Sequence, residues 1–217
     1  MTLHLLSENN SILHHFMRQL RDVHIQNDRM RFRRNVERIG EIMAYEISKS
    51  LYYKPIEIST PLGIKNSHEL ETPIVLCSIL RAGLTLHQGF LAVFDDAENG
   101  FVSAFRHHPN NDNDFEIRVD YQATPDLKDK TLILVDPMLA TGQSIEAVFN
   151  KLQQEFQPKS IHIAVVIAAP EGVAYLKKHI QVPFHLWIAD LDDCLNEKKY
   201  IVPGLGDAGD LAYGVKL

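Results

Sequence analysis

Short apolar runs alternate with helix-period segments from Thr72 onward, and this alternation is the strongest constraint on the fold. Apolar runs without polar alternation are typical of a parallel sheet that helices cover on both faces. In such sheets the ligand site lies beyond the carboxyl ends of the strands. The chain is therefore expected to be an α/β protein. Its expected strands are Ile74–Ile79, Phe101–Phe105, Thr131–Val135, Ile161–Ala168 and Phe184–Ile188.

The segment from Ser11 to Leu51 has helical spacing instead, with apolar residues recurring every three or four positions. Two helices are expected there, with a break near Gln26–Asp28. The basic stretch Arg29–Arg34 in the second helix is interpreted as a solvated helix face with acidic partners such as Glu37 and Glu41, in preference to a ligand site.

The loop Asp136–Ser144, between the run Thr131–Val135 and a helical segment, carries the clearest chemical signal. Backbone N–H groups at a helix start lack internal partners, and the helix dipole adds positive charge, so the loop is suited to a phosphate monoester. Gly142 lets the main chain approach an anion, and Thr141 and Ser144 add hydroxyl donors. Alone, a Thr-Gly-x-Ser turn is more simply a capped helix start. The Walker A and Gly-x-Gly-x-x-Gly spacings are absent.

The same loop closely resembles the phosphoribosyl diphosphate signature of the type I phosphoribosyltransferases, in the form typical of the uracil phosphoribosyltransferase family, where Pro137 replaces a second acidic residue. Gln143 stands where that family has glycine. Ile79–Leu84 is similar to the family's first diphosphate-contacting loop, and Tyr200–Asp210 is similar to its uracil-binding hood. The resemblance covers nearly the whole chain and is weakest around 107–114.

The resemblance implies a single domain over residues 1–217 with a type I phosphoribosyltransferase-like fold, a parallel sheet flanked by helices. An N-terminal helical arm would span 1–52, the core sheet 72–190 and a C-terminal uracil-binding hood 191–217. It implies an enzyme, a pentosyltransferase that transfers phosphoribosyl from 5-phospho-α-D-ribose 1-diphosphate to N1 of uracil and gives UMP and diphosphate. No basic, apolar leader begins the sequence, so a cytoplasmic location is expected.

The resemblance also assigns site residues. Arg81, Arg106 and Asp207 are the expected catalytic residues, and the arginines would contact the diphosphate with planar, charge-assisted hydrogen bonds. Phosphoribosyl diphosphate is also expected to contact Asp136, Pro137, Met138, Leu139, Ala140, Thr141, Gly142, Gln143 and Ser144. Uracil is expected to contact Ile201, Gly206, Asp207 and Ala208. Leu211 departs from the family, which commonly has Arg or Lys there.

Mg²⁺ is expected to travel with the diphosphate, without a dedicated protein site. The family resemblance suggests a homodimer or higher oligomer, whose interface the N-terminal helices could provide, and GTP as a candidate effector, although no residue marks a GTP site. The polar segment His107–Asp114 is expected to be an exposed hairpin tip that closes over the diphosphate. A net charge of −6 argues against nucleic-acid binding, and no membrane contact is expected.

Three alternatives were considered. A phosphoribosyltransferase for another base is disfavoured by the hood sequence. A nucleotide- and RNA-binding regulator with weak or no catalysis has only Arg29–Arg34 in its favour. A kinase lacks its Walker lysine.

Overall fold

A computed structural model describes residues 1–107, 116–155 and 157–216. Within these ranges a 3₁₀ turn at Leu6–Glu8 accompanies six helices: α1 Ile12–Arg21, α2 Arg29–Ser48, α3 Gly83–Leu91, α4 Gln143–Glu155, α5 Pro170–His179 and α6 Ala208–Tyr213. The strands are β1 Thr2–Leu5, β2 Tyr53–Thr60, β3 Gly63–Leu70, β4 Ile74–Leu80, β5 Glu98–His107, β6 Glu116–Ala123, β7 Thr131–Val135, β8 Met138–Leu139, β9 Ser160–Ala168, β10 His185–Leu191, β11 Cys194–Leu195 and β12 Ile201–Val202.

The central sheet has the strand order β1-β10-β9-β7-β4-β5-β6, and the short strand β8 also pairs with β9. Every pairing in it is parallel except that of β5 with β6, which is an antiparallel edge. The five strands expected from the apolar runs are all present, with ends shifted by up to three residues. The expected α/β class and its mostly parallel sheet are therefore confirmed.

Helices cover both faces of this sheet, as the continuous apolar strands require. One apolar cluster joins α1, α2, α3 and α6 to the sheet, and a second joins α4 and α5 to its other face. Successive residues of β4 divide between them, since Leu76 belongs to the first cluster and Val75 and Cys77 belong to the second. Among the described residues, no helix is both long and apolar enough to cross a bilayer.

Two elements were missed from the sequence. Strand β1 adds an edge beside β10, and β2 and β3 form a two-stranded antiparallel hairpin outside the main sheet. Most residues of this hairpin are exposed on both faces, including Leu62 at its turn and Ile64. Among the described residues of the hairpin, only Leu70, at its base, packs against a core cluster, so the hairpin has no continuous apolar run by which it could be recognised.

Aromatic stacking attaches strand β1 to the sheet. The ring of His4 stacks on Trp187 with centroids 3.7 Å apart, and His4 Nε2 lies 3.0 Å from His185 Nδ1. Beneath them, Trp187 Nε1 donates a hydrogen bond to Nδ1 of the buried His162 at 3.2 Å. Burial, and then the neighbouring His185 and His4, lower the pKa of His162 from 6.5 to about 3.

We expect acid to destabilise the protein through His162. Its pKa is lower in the folded state than in the unfolded state, so the unfolded state takes up a proton first as the pH falls. The stability that depends on neutral His162 is complete above pH 6.5 and is lost as the pH falls towards 3. Protonating Nδ1 would also break the bond from Trp187. Between pH 7 and pH 5 the free energy of unfolding should fall by about 2 kcal/mol through this group. Urea unfolding across that range, with His162→Gln beside the exposed-site control His24→Gln, tests this: equal pH dependence in both variants would contradict it.

Candidate active site

A cleft of about 690 Å³ opens at the carboxyl ends of β4 and β7. These strands are neighbours, with Ser78 registered beside Val135, so the loops that follow them emerge side by side. The cleft is bounded by the Leu80–Ala82 loop, the Asp136–Ser144 loop and a C-terminal segment beginning at Lys199. This is the edge at which parallel α/β sheets bind ligands.

The loop after β7 is shaped for an anion. Gly142 has a φ of +85°, a backbone conformation that favours glycine, and it lies against Tyr175 and the backbone of Gly172 with little space for a side chain. Helix α4 begins at the next residue, so its free N–H groups lie at this end of the cleft. Thr141 and Ser144 line the cleft beside it. The geometry fits one phosphate group.

Asp136, at the end of β7, lines the same cleft. Its Oδ1 accepts a hydrogen bond from the backbone N–H of Met138 at 3.2 Å. Burial nevertheless raises the pKa of this carboxyl from 3.8 to about 7, against the opposing effect of that hydrogen bond. Asp136 therefore changes charge near neutral pH, at a position suited to accept hydrogen bonds from sugar hydroxyls.

We expect Asp136→Asn to change the pH dependence of catalysis and, separately, to raise the melting temperature. The ionised carboxylate is the better acceptor for two hydroxyls, so kcat/KM for phosphoribosyl diphosphate should rise as pH rises through about 7 in the wild type. The variant should lose this rise in the pH–rate profile and retain any rise that comes from ionisation of the substrate's own phosphate.

The same variant should also change stability. Because the pKa of Asp136 is raised in the folded state, the ionised carboxylate destabilises the fold increasingly between pH 4 and pH 7. The variant should therefore melt higher than wild type by a larger margin at pH 8 than at pH 5.5, and a matching pH–rate profile in both proteins would contradict the assignment.

Arg81 lies immediately after β4 and lines the cleft from the opposite side. Its NH2 group bonds Asp210 Oδ1 at 3.1 Å and the backbone oxygen of Gly214 at 3.5 Å, and its side chain is 45% exposed. Both partners belong to the C-terminal segment. The guanidinium is therefore held at the cleft by contacts weak enough for a phosphate to replace.

Asp207 begins helix α6 and serves as its N-cap, with Oδ1 accepting from the backbone N–H of Asp210 at 3.0 Å. Its other oxygen lies 3.4 Å from Lys216 Nζ, and that lysine is largely exposed. The carboxylate is thus fixed in direction by its own helix. The 3.4 Å contact of its second oxygen with the exposed Lys216 is long enough for a ligand in the cleft to replace it.

A partly buried ion pair anchors the C-terminal segment to the sheet. Arg21, at the end of α1, bonds both oxygens of Asp192 at 2.6 and 2.9 Å and the backbone oxygen of Gly204 at 2.9 Å. Asp192 Oδ2 also accepts from the backbone N–H of Gly204. Both backbone groups of Gly204 are therefore held in place, and this fixes the glycine-rich turn that leads to Gly206 at the cleft.

The structure brings most of the expected site residues to one cleft. Those that line it are Arg81, Asp136, Met138, Leu139, Ala140, Thr141, Gly142, Ser144, Gly206 and Asp207. The others with described side chains do not line the cleft but are sequence neighbours of residues that do: Pro137, Gln143, Ile201 and Ala208. Gln143 accepts a hydrogen bond from Thr141 with its side chain, and the carbonyl of Pro137 bonds β9.

Two expectations fall outside the described residues. Arg106 has its backbone in β5, registered with Ile117, but its side chain is not described. The segment 108–115, which contains the expected closing tip, is likewise outside the described ranges.

Sequence reasoning assigned no individual role to several cleft residues and to one anchor. Lys199, Tyr200 and Lys216 line the cleft, and Arg21 holds the segment that carries it. Lys199 and Tyr200 precede the glycine-rich turn directly, which is the only local signal they offer. Arg21 depends on a contact across 171 residues, to which no sequence spacing points.

The basic stretch in α2 agrees with its interpretation as a helix face. Arg34 pairs with Glu37 at 2.6 Å and approaches Glu41 at 3.8 Å, and Arg31 pairs with Asp28. Arg33 donates to the backbone oxygen of Ala212 at 2.7 Å, so it supports the C-terminal helix. These contacts favour a structural role for the stretch over RNA binding.

Comparison with known proteins adds three findings. A family model described as uracil phosphoribosyltransferase matches residues 7–215. A curated Porphyromonas gingivalis protein named uracil phosphoribosyltransferase is 50% identical over 212 residues, covering 98% of each chain. A solved structure from Aquifex aeolicus is 30% identical with a TM-score of 0.86, covering 98% of this chain and 99% of that one.

A more distant neighbour bears on the fold alone. The crystal structure of a hypoxanthine phosphoribosyltransferase from Staphylococcus aureus matches with a TM-score of 0.50 at 16% identity, over 84% of each chain. The sheet and its flanking helices are therefore shared with phosphoribosyltransferases.

Proposed function

We propose that this chain, which belongs to the uracil phosphoribosyltransferase family, transfers the phosphoribosyl group of 5-phospho-α-D-ribose 1-diphosphate to N1 of uracil, forming UMP and diphosphate. This is a pyrimidine salvage reaction. The observation that carries the proposal is the single cleft in which the Asp136–Ser144 loop, Arg81 and the glycine-rich segment around Gly206 meet.

The Asp136–Ser144 loop would hold the sugar phosphate. The N–H groups at the start of α4 and the hydroxyls of Thr141 and Ser144 bind the 5′-phosphate, while Asp136 accepts from the ribose hydroxyls. Pro137, Met138, Leu139, Ala140 and Gln143 shape the loop. These contacts fix the position of C1, and positioning accounts for much of the rate gain in a two-substrate transfer.

Arg81 would bind the diphosphate, with Arg106 assigned beside it from the family resemblance. Charge builds on the diphosphate as the C1–O bond breaks, and a cation already in place stabilises it at little reorganisation cost. The release of Arg81 from Asp210 exchanges one carboxylate partner for phosphate oxygens. Asp207 is directed at the same end of the cleft by its cap to α6, where it orients the bound substrate.

Backbone groups of the C-terminal segment would recognise the base through hydrogen bonds. Uracil presents acceptor, donor, acceptor along one edge, and backbone groups at Ile201, Gly206 and Ala208 supply the complement. Gly206 has a φ of +96°, which turns the chain tightly at the cleft wall. Cytosine carries an amine where uracil has O4, so a backbone donor and that amine would both be left unpaired.

The acidic residues of the cleft fit a magnesium ion that arrives with its substrate. Oxygens of Asp207 and Asp210 are already engaged by Asp210 N–H and Arg81, and within the described ranges no cluster of three or more His, Cys, Asp or Glu could hold a metal. Mg²⁺ prefers phosphate oxygens and water as ligands, and it would neutralise diphosphate charge when bound. Asp207 Oδ2, once it is released from Lys216, is the group that would accept from a metal-bound water.

A panel of bases tests the proposal. Purified protein, phosphoribosyl diphosphate and Mg²⁺ are mixed with uracil, cytosine, adenine, guanine or hypoxanthine, and the nucleotide formed is identified. UMP from uracil alone is expected. Nucleotide from a purine base would assign the cleft to another phosphoribosyltransferase activity and would contradict the base contacts proposed above.

Assembly and control follow the family in this proposal. We propose a cytoplasmic enzyme that forms one domain over residues 1–217 and assembles into a homodimer or higher oligomer.

Because helix α2 buries its apolar face within its own subunit, the exposed hairpin with Leu62 and Ile64 is the better candidate for the subunit interface. Sedimentation of wild type beside a Leu62→Ser, Ile64→Ser double variant tests this, since an unchanged mass would exclude the hairpin as the subunit interface.

We also propose GTP as an effector, which is tested by adding GTP to the assay with uracil.

A further inference from the structure

Lys199 has a backbone conformation that lysine rarely adopts. Its φ is +63°, and among the described residues Asp129 is the other non-glycine residue with positive φ. The residue lies in the turn joining β11 to β12, where its N–H donates to the Asn196 carbonyl at 2.9 Å and Tyr200 N–H donates to Asn196 Oδ1 at 3.0 Å. Glycine is the residue that such a position favours. A non-glycine residue kept in this conformation costs stability, and an outlier of this kind motivates a search for function.

The strained lysine faces the substrate cleft. Lys199 lines it together with Thr141, Gly142 and Ser144. A glycine in this turn would satisfy the backbone but would bring no cation to the cleft.

The neighbours of Lys199 show which end of the cleft it serves. Glu171 accepts a hydrogen bond from the Leu195 backbone, which ties the β11–β12 turn to the start of α5. That bond places the turn that carries Lys199 beside the start of α5, and it is also the largest cause of the lowered pKa of Glu171. The residue after Glu171 is Gly172, whose backbone packs against Ala140 and Gly142 of the phosphate loop. Arg81, in contrast, lies with Asp210 at the diphosphate end.

We infer that Lys199 is a further substrate-binding residue, whose ammonium group binds the 5′-phosphate held by the Thr141–Ser144 turn. That phosphate is common to phosphoribosyl diphosphate and UMP, so the inference deepens the proposed function and rests on it. The N–H groups and hydroxyls of the loop direct the phosphate, and Lys199 adds the full positive charge that the loop itself lacks. The strain at residue 199 is retained because the charge is needed there.

Binding of three ligands separates this role from a structural one. UMP carries the 5′-phosphate, uridine lacks it, and ribose 5-phosphate carries it without a base. Loss of one charge-assisted hydrogen bond should weaken UMP and ribose 5-phosphate about tenfold in Lys199→Gly, with uridine unchanged. Lys199→Asn, which tolerates positive φ without the charge, should behave alike, and Lys199→Arg should bind UMP nearly as wild type does.

Asp129→Gly is the matched control, because it relieves the same conformation at an exposed turn away from the cleft. Both glycine variants should melt higher than wild type, by about 2 °C, and only Lys199→Gly should bind phosphate ligands less tightly. Calorimetry showing unchanged UMP affinity in Lys199→Gly, or equal losses for UMP and uridine, would overturn the inference. If the wild type forms no UMP but Lys199→Gly still weakens ribose 5-phosphate binding, the proposed function fails while the phosphate contact stands.

Discussion

Arg81→Ala is expected to lower kcat/KM for phosphoribosyl diphosphate by about 10²–10³-fold, the effect of removing one pre-placed donor from developing charge. Arg81 lines the cleft with its side chain partly exposed, at the position where we propose that the diphosphate binds. Arg81→Lys should recover only part of the loss, because an ammonium cannot make the planar two-point contact with phosphate. Initial rates of UMP formation over a range of phosphoribosyl diphosphate concentrations measure both variants.

The Arg81 result needs a control, because the same substitution breaks the pair with Asp210. Asp210→Asn weakens that pair and leaves the guanidinium in the cleft. We expect this variant to keep the wild-type kcat/KM or to exceed it, since Arg81 would be released to the substrate more easily. A loss as large as that of Arg81→Ala would show that the ion pair, and not the diphosphate contact, carries the effect.

Gly172→Ala should cost about 10²-fold in kcat/KM without touching any substrate. A Cβ atom at residue 172 would overlap the backbone oxygen of Ala140 and would lie 3.0 Å from that of Leu139. These backbone oxygens cannot avoid the Cβ by a rotamer change, as a flexible side chain can, so the phosphate loop must move. A shift of about 1 Å in a positioning element is enough for a loss of that size. The KM for phosphoribosyl diphosphate should rise more than the KM for uracil.

Gly100→Ala provides the comparison for this loop displacement. Its Cβ would meet the methyl group of Thr124 at 2.9 Å, which is a side-chain clash away from the phosphate loop. Gly100 lies in β5 and does not line the cleft. Both variants should lose stability in urea unfolding, while only Gly172→Ala should lose kcat/KM. Equal kinetics in the two variants would remove the argument that α5 positions the phosphate loop.

The sheet could be predicted because burial on both faces leaves continuous apolar runs in the sequence. The pattern predicts Thr131–Val135 to the residue, since Lys130 precedes the apolar run and Asp136 follows it. Strand β1 was missed because its four residues include Thr2 and His4, and its place depends on stacking against Trp187. The β2–β3 hairpin was missed because most of its residues are exposed, which leaves no apolar pattern to detect.

The residues of the site also divide into those that local sequence predicts and those whose position depends on the folded chain. The Asp136–Ser144 loop was predicted because strand, tight turn and helix start are all local in the chain. Lys199 was not predicted, because its importance lies in a φ value and in the cleft it faces. Arg21 was not predicted either, since its partners Asp192 and Gly204 come from the far end of the chain.

The most direct test of the account is the joint measurement of UMP and diphosphate from uracil and phosphoribosyl diphosphate, with wild type and Arg81→Ala run side by side. We predict that wild type forms both products in equal amounts and that the variant forms them at least about 10²-fold more slowly at low phosphoribosyl diphosphate. Wild-type protein that binds phosphoribosyl diphosphate or UMP tightly and forms neither product would contradict the account and would assign the cleft to nucleotide sensing.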